Sequence, residues 1–383
     1  MPLIERLAGL PALTAALAAD AARHDADGSY PAEGIAAVHR SGLLTATVAQ
    51  QHGGAGAGLA ETTRILHALG RGDPSVALIC AMTLIVHGGQ SRAQEWSEPA
   101  YRMVLEDLAA HSGPPLINHI RVEPDLGTPS RGGRQGTTAT AIPDGWSISG
   151  RKTFCTGSEG LRWLIVSAGT DEETPRAGTF LVRADAPGIT LERTWDHLGL
   201  RASSSHDLIL TDVRVPPEAV ISRPGDGAAR PDPRHQAWNC LGLSALYLGV
   251  ARAAQDWLGR FLHDRVPGSL GAPLATLPRF QALAGEIEAS LLGAEGLVRA
   301  LAERYDAAGD VTAAEVTGAK LIANRAAIGA VEQALGAVGN PGLTRHNPLQ
   351  RHYRDVLCSR VHFPQDDVIT GTIGRAALDR SAT

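Results

Sequence analysis

The chain has 383 residues, 44% of them hydrophobic and 20% charged, with a formal net charge of -5 and a pI near 6.3. That is enough chain for two or three compact units around a large core. The acidic balance offers no basic stripe for nucleic acid, and the N-terminus has neither a signal-peptide core nor a long membrane span, so a cytoplasmic protein is expected.

Residues 1–115 read as an N-terminal α-helical domain. Leu7, Leu10, Leu13, Leu17 and Ala21 recur at helical spacing, and YPAEGIAAVHRSGLL and LAETTRILHALGRG give two further amphipathic segments that end at glycine. SVALICAMTLIVH, Ser75 to His87, is apolar almost all round and predicts a buried helix closed by His87. A histidine there reads first as a helix cap or a satisfied core group. The HGGAGAG run from His52 lacks the preceding strand of a dinucleotide fingerprint and reads as a glycine loop between helices.

From 116 to 225 the texture changes. DGWSISG, GRKTFCTG, RWLIVSAG, GTFLVRADAPGITLERTW and SHDLILTDVRVP are short alternating or β-branched runs between turn residues. Strands in succession without intervening helices predict a central antiparallel, barrel-like β-domain. Ser205, His206 and Asp207 are consecutive, so on a strand they point to opposite faces and cannot form a hydrolase triad.

Residues 226–383 return to helices. Leu243, Leu246, Tyr247, Val250, Trp257, Leu258 and Phe261 share one helical face, as do Leu283, Ile287, Leu291, Ala294, Val298 and Leu301. A third helix is expected from Ala313 to Val338, and the stretch from Arg345 to Ile373, dense in arginine, histidine and aspartate, supplies a fourth. The prediction is an α+β multidomain protein ending in a four-helix bundle. Cys80, Cys155, Cys240 and Cys358 are scattered, without the spacing of a metal site or a redox pair, and read as buried thiols.

EPDLGTP at 123–129, KTFCTG at 152–157, LGLRASSSHDLILTDVRVP at 198–216, LGVARAAQDWLGRFLHDR and NPLQRHYRDV together resemble the acyl-CoA dehydrogenase superfamily, in order and over nearly the whole chain. The resemblance implies a flavin held between the β-domain and the bundle, usually in a homotetramer. By motif, Val122, Gly127 and Thr128 would line the flavin from one loop, and Phe154 and Thr156 from another. Aromatic faces and neutral donors suit an isoalloxazine ring. Arg265 matches an arginine that reaches the pyrophosphate of FAD across a subunit interface, a task for a forked, permanent charge. The adenine-side glycine loop is replaced by GAVGNPGL, so FMN stands beside FAD as the expected cofactor.

The family's catalytic glutamate is missing. Counting from Asp355 puts Phe363 at its place, anchoring on Gly371 puts Thr370 there, and the alternative position on the first bundle helix is Asn239. Asp366 and Asp367 are the nearest carboxylates. HNPLQRHYRDVLCSRVH instead resembles the flavin-dependent monooxygenase branch, which includes dibenzothiophene monooxygenase and N-hydroxylases, with His362 at the spacing of a histidine near the flavin. An imidazole can manage protons where oxygen reacts. His87 is the expected second histidine, and Trp238, Asn239 and Phe363 are expected to shape the substrate pocket.

Three functions stay open at this point. The first is a monooxygenase using O2 and reduced flavin from a separate NAD(P)H-dependent reductase on a small organic substrate. The others are an acyl-CoA dehydrogenase or oxidase with a displaced base, and a non-catalytic flavin-binding protein. No metal, nucleic-acid or membrane partner is expected.

Overall fold

Apolar residues at helical spacing organise the first third of the molecule into α1 (Leu3–Ala8), α2 (Leu10–Asp27), α3 (Ala32–Arg40), α4 (Leu59–Gly72), α5 (Pro74–Ala93) and α6 (Glu98–Ala110). The computed structural model describes residues 2–94, 96–125, 135–224 and 233–381. The glycine run after His52 leads into α4, whose first free N–H groups, on Leu59 and Ala60, donate to the Asp306 carboxylate at 2.8 Å. An internal anion therefore satisfies this helix N-terminus.

Asp73 caps α5 by accepting from Ser75 N at 2.8 Å and Val76 N at 3.2 Å, with Pro74 at the first helical position. The helix does not close at His87 as the sequence suggested. It continues to Ala93, and His87 sits within it. By length and composition alone Pro74–Arg92 could cross a membrane, and 78% of that window is buried inside the protein, as in a core helix.

The middle of the chain forms β1 (Ile117–Ile120), β2 (Thr138–Ile142), β3 (Gly145–Cys155), β4 (Trp163–Thr170), β5 (Ala177–Arg183), β6 (Ile189–Glu192), β7 (His206–Val215) and β8 (Val220–Ser222). They make one sheet in the order β6-β7-β3-β2-β4-β5-β8, with β1 added on β4. The pairing is not wholly antiparallel, because β1 and β2 both run parallel to β4. A register shift between Lys152 and Cys155 interrupts the β3–β7 ladder. There Phe154 adopts φ 56° and leaves the normal in–out alternation.

The last part of the chain contains α7 (Pro233–Asp264), α8 (Pro278–Ala308), α9 (Ala313–Val338), α10 (Asn340–Leu343), α11 (Leu349–Leu357) and α12 (Asp366–Ser381). A capping box between Thr312 and Glu315 starts α9. Helix α7 is the hub, packed on α4, α5, α8, α9 and α11. The expected fourth helix is two helices, α11 and α12, separated by a short helical turn and the segment 361–365.

The charge density of α11 serves the joints between the three regions. Arg354 grips both oxygens of Asp25 on α2, at 2.9 and 2.5 Å, and donates to Leu198 O at 2.8 Å. Next to it Asp355 accepts from Leu200 N at 2.7 Å. Burial pushes the Asp355 carboxyl up to about 7, although the Leu200 N–H and Arg351 oppose that rise.

Candidate active site

The shift that releases Phe154 from β3 leaves its ring 57% exposed, beside a cavity of about 390 Å³. The cavity is lined by Val122, Thr153, Phe154, Trp195, His197 and Ser205, among others. Trp195 and His197 stack at 4.0 Å, and Phe154 meets both edge-on at 6.3 Å. A non-glycine residue held at positive φ costs about 1–3 kcal/mol, so the surrounding contacts must over-determine it. One such contact is Thr153 N donating to Val122 O at 3.0 Å, which ties the two cavity-lining segments together.

Beyond Phe154, the Thr156 hydroxyl is 3.1 Å from that of Ser205, which is 2.8 Å from that of Ser203. Asn118 donates to the Thr156 carbonyl at 3.1 Å. Three linked hydroxyls beside an exposed aromatic ring offer an apolar face with adjustable neutral donors. Gly127 and Thr128 lie outside the described residues. Arg265 is exposed just past α7 and is absent from the cavity lining.

Ser205, His206 and Asp207 do not converge. His206 accepts from Trp195 N at 2.9 Å through Nδ1, while Asp207 takes Arg151 and Thr194.

The two proposed histidines reach α7 from different sides. A Cβ at Gly88, next to His87, would fall 2.4 Å from the Trp238 ring, so only glycine permits this approach of α5 to α7. The next residue on α7, Asn239, donates to the carbonyl of Phe363, next to His362, at 2.9 Å. Consecutive residues near the start of α7 thus touch both histidine-bearing segments. Trp238 is fully buried and donates to the Tyr305 hydroxyl at 3.0 Å. It is a wedge between helices and is not among the residues lining the cavity beside Phe154. Phe363 is 36% exposed.

Each histidine is engaged by a tyrosine. His87, fully buried on α5, has Nδ1 3.1 Å from the Tyr101 hydroxyl, and its Nε2 is buried without a partner. His362 has Nε2 2.6 Å from the hydroxyl of fully buried Tyr247. Burial lowers the pKa of both imidazoles to about 4, helped at His362 by the Lys320 ammonium. Lys320 is itself buried on α9 and donates to the carbonyls of His362, at 2.8 Å, and Pro364, at 2.6 Å. With Asn239 on the carbonyl between them, three successive backbone acceptors of the turn are held.

The nearest carboxylates face elsewhere. Asp366 opens α12 and lies 3.6 Å from Arg325, and Asp367 is exposed. Thr370 turns back on its own helix, donating to Asp366 O at 2.9 Å.

Sequence reading missed Tyr101, Lys320 and the role of Tyr247. It also missed His119, whose Nε2 lies 3.0 Å from Ser167 Oγ and whose pKa burial and then Arg121 hold well below the usual range. One signal was available: Lys320 and Asn324, four apart, interrupt an apolar α9 face that includes Val316, Ala323 and Ala327.

All the residues that line the cavity beside Phe154 belong to the middle, sheet-forming region of the chain. Models of the acyl-CoA dehydrogenase N-terminal, middle and C-terminal domains match residues 12–103, 122–213 and 241–366. A putative acyl-CoA dehydrogenase, YdbM of Bacillus subtilis (strain 168), is 34% identical over 362 residues, covering 94% of this chain and 93% of the relative. The chain belongs to the acyl-CoA dehydrogenase family. Among solved structures, KijD3 in complex with FMN and a dTDP-linked amino keto sugar superposes with a TM-score of 0.83 at 27% identity, covering 97% of this chain and 92% of the other. Dibenzothiophene monooxygenase TdsC of Paenibacillus sp. A11-2 shares the fold, with a TM-score of 0.84 at 22% identity over 98% and 97% of the two chains.

Proposed function

We propose that the protein is a flavin-dependent monooxygenase that inserts one oxygen atom of O2 into a small organic substrate. One observation carries this reading. At the positions where the family's proton-abstracting glutamate is expected stand Phe363, Thr370 and Asn239, none of which is a base. The turn beside them presents His362, an imidazole kept neutral by burial and by Lys320. Asp366, the nearest displaced carboxylate, is turned toward Arg325.

The residues present fit a flavin. The exposed Phe154 ring offers an apolar face, the buried Thr153 hydroxyl has no partner, and the Thr156–Ser205–Ser203 hydroxyls can meet polar ring edges. Val122, Phe154 and Thr156 would hold the ring system, with Gly127, Thr128 and, from a neighbouring subunit, Arg265. Reduced flavin, when bound, supplies the electron pair that takes O2 and the substrate to the oxygenated product and water.

The protein's own residues would exclude bulk water, orient the substrate against Asn239 and Phe363, and hold neutral His362 and His87 as hydrogen-bonding groups. KijD3's FMN complex supports FMN as the cofactor, and the altered adenine-side loop weighs against FAD. A separate NAD(P)H-dependent reductase, a homotetramer and a cytoplasmic location belong to the same proposal. The four free thiols suit the last.

The test combines two mixing experiments on the purified flavoprotein. Anaerobic addition of short- and medium-chain acyl-CoA thioesters should leave the oxidised flavin spectrum unchanged. Reduced enzyme mixed with 18O2 and a panel of amines, thioethers and aromatic heterocycles should give a product carrying one labelled oxygen, lost in His362→Ala. Rapid bleaching by a thioester would overturn the proposal in favour of dehydrogenation.

A further inference from the structure

We propose that Tyr247 fixes the tautomer of His362 by donating its phenolic hydrogen to Nε2, which places the ring proton on Nδ1 and makes His362 a hydrogen-bond donor through that atom. Tyr247 is thus a positioning residue for His362. Three observations lead to this assignment.

The first is length. At 2.6 Å, Tyr247 Oη and His362 Nε2 are in direct hydrogen-bond contact, so one of the two must donate to the other. The second is a proton count. Tyr247 is fully buried, and His362 is the hydrogen-bond partner of its hydroxyl among the described residues. Were Nε2 to donate instead, the phenolic hydrogen would be buried with no acceptor. Burial also keeps the phenol protonated by raising its pKa well above the usual value.

The third is the state of the ring. With its pKa lowered to about 4, His362 is a neutral imidazole with one protonated and one bare nitrogen. The bare one is occupied by Tyr247. Nδ1 makes no hydrogen bond among the described residues, so its N–H is available to a ligand. Lys320 and Asn239 hold the carbonyls around the ring and limit its reorientation.

His87 also meets a phenol, through its Nδ1 at 3.1 Å from the Tyr101 hydroxyl, while its Nε2 is buried without a partner. The two histidines thus meet their tyrosines through opposite ring nitrogens. A His362 with its bare nitrogen occupied cannot accept a substrate proton at Nδ1, so it is no substitute for a missing glutamate. What the donor is used for rests on the monooxygenase reading; the tautomer does not.

Magic-angle-spinning NMR of the resting protein, labelled with 15N-histidine and 13C-tyrosine, tests the assignment. The ring nitrogen nearest the Tyr247 ring should show the shift of an unprotonated nitrogen, and its partner Nδ1 that of an N–H. His362→Gln should remove both signals, and Tyr247→Phe should move the proton wholly or partly to Nε2. A wild-type Nε2 that is protonated, or a Tyr247→Phe spectrum identical to wild type, would overturn the proposal. The wild-type spectrum decides even if the variants do not fold. Because no turnover is involved, a wrong tautomer leaves the oxygenation reading standing, while thioester oxidation with the expected tautomer removes only that reading.

Discussion

Replacing His87 by leucine isolates the consequence of burying a neutral imidazole. The side chain is fully buried, and burial lowers its pKa to about 4, against about 6.5 for histidine in an unfolded chain. Below pH 6.5 the unfolded chain takes up a proton that the native state refuses. Stability is therefore lost progressively as the pH falls, until the native ring itself protonates near pH 4. A displacement of this size corresponds to about 3 kcal/mol over the whole window, of which about 2 kcal/mol falls between pH 7 and pH 5.

His87→Leu should remove that component. It should also add a pH-independent loss of about 1–3 kcal/mol, because the Tyr101 hydroxyl is stranded. Burial also depresses His352 and His362, so wild type retains further acid sensitivity that the variant shares. Urea transitions followed by tryptophan fluorescence at pH 7 and pH 5, at one protein concentration, measure the difference. The gap between wild type and variant should narrow by about 2 kcal/mol on acidification. An unchanged gap would show that His87 is not held neutral by burial.

Lys320→Met should free the turn after α11: two carbonyls lose charge-assisted donors worth about 1.5–3 kcal/mol each, partly offset by no longer burying an ammonium. Faster amide exchange over residues 361–366, with little change in the β-domain, is the expected readout. Arg354→Ala leaves the partly buried Asp25 carboxylate without its guanidinium and should cost about 1.5–3 kcal/mol, seen as earlier proteolytic cleavage near α2. Trp238→Ala, which empties the wedge between α5, α7 and α8, should cost about 3–5 kcal/mol in the same urea assay. Thr156→Val should shift the visible spectrum of bound flavin while leaving the apoprotein's circular dichroism unchanged.

Elements whose signals are local were readable in the sequence. Helix α9 combines an apolar stripe with the Thr312–Glu315 capping box, and its observed span, Ala313–Val338, is the expected one. Helix α5 was expected to close at His87 and instead runs to Ala93; Gly88 lies within it where the Trp238 ring occupies the space a side chain would need, a contact that the sequence around residue 88 does not encode. The parallel pairings of β1 and β2 with β4 depend on how distant segments meet, which alternation alone does not encode.

Motif spacing in the sequence raised the expectation of a missing glutamate and singled out His362. The residues that engage His362 were not legible. Tyr247 reads as one more apolar-face residue of α7, and its hydroxyl acquires meaning only when a segment 115 residues later comes to rest on it. The charges of α11 were similarly opaque, since the partner of Arg354 lies 329 positions away.

The contact between Gly88 and Trp238 also limits how this sequence can vary. Any side chain at 88 would collide with the indole, and any smaller ring at 238 would leave a void beside His87. Neither position has a permissible single step, so the two should change together: a relative with alanine or serine at 88 should carry a smaller residue at 238. Such paired replacements would mark lineages in which the spacing between α5 and α7, and with it the room beside His87, has been reset.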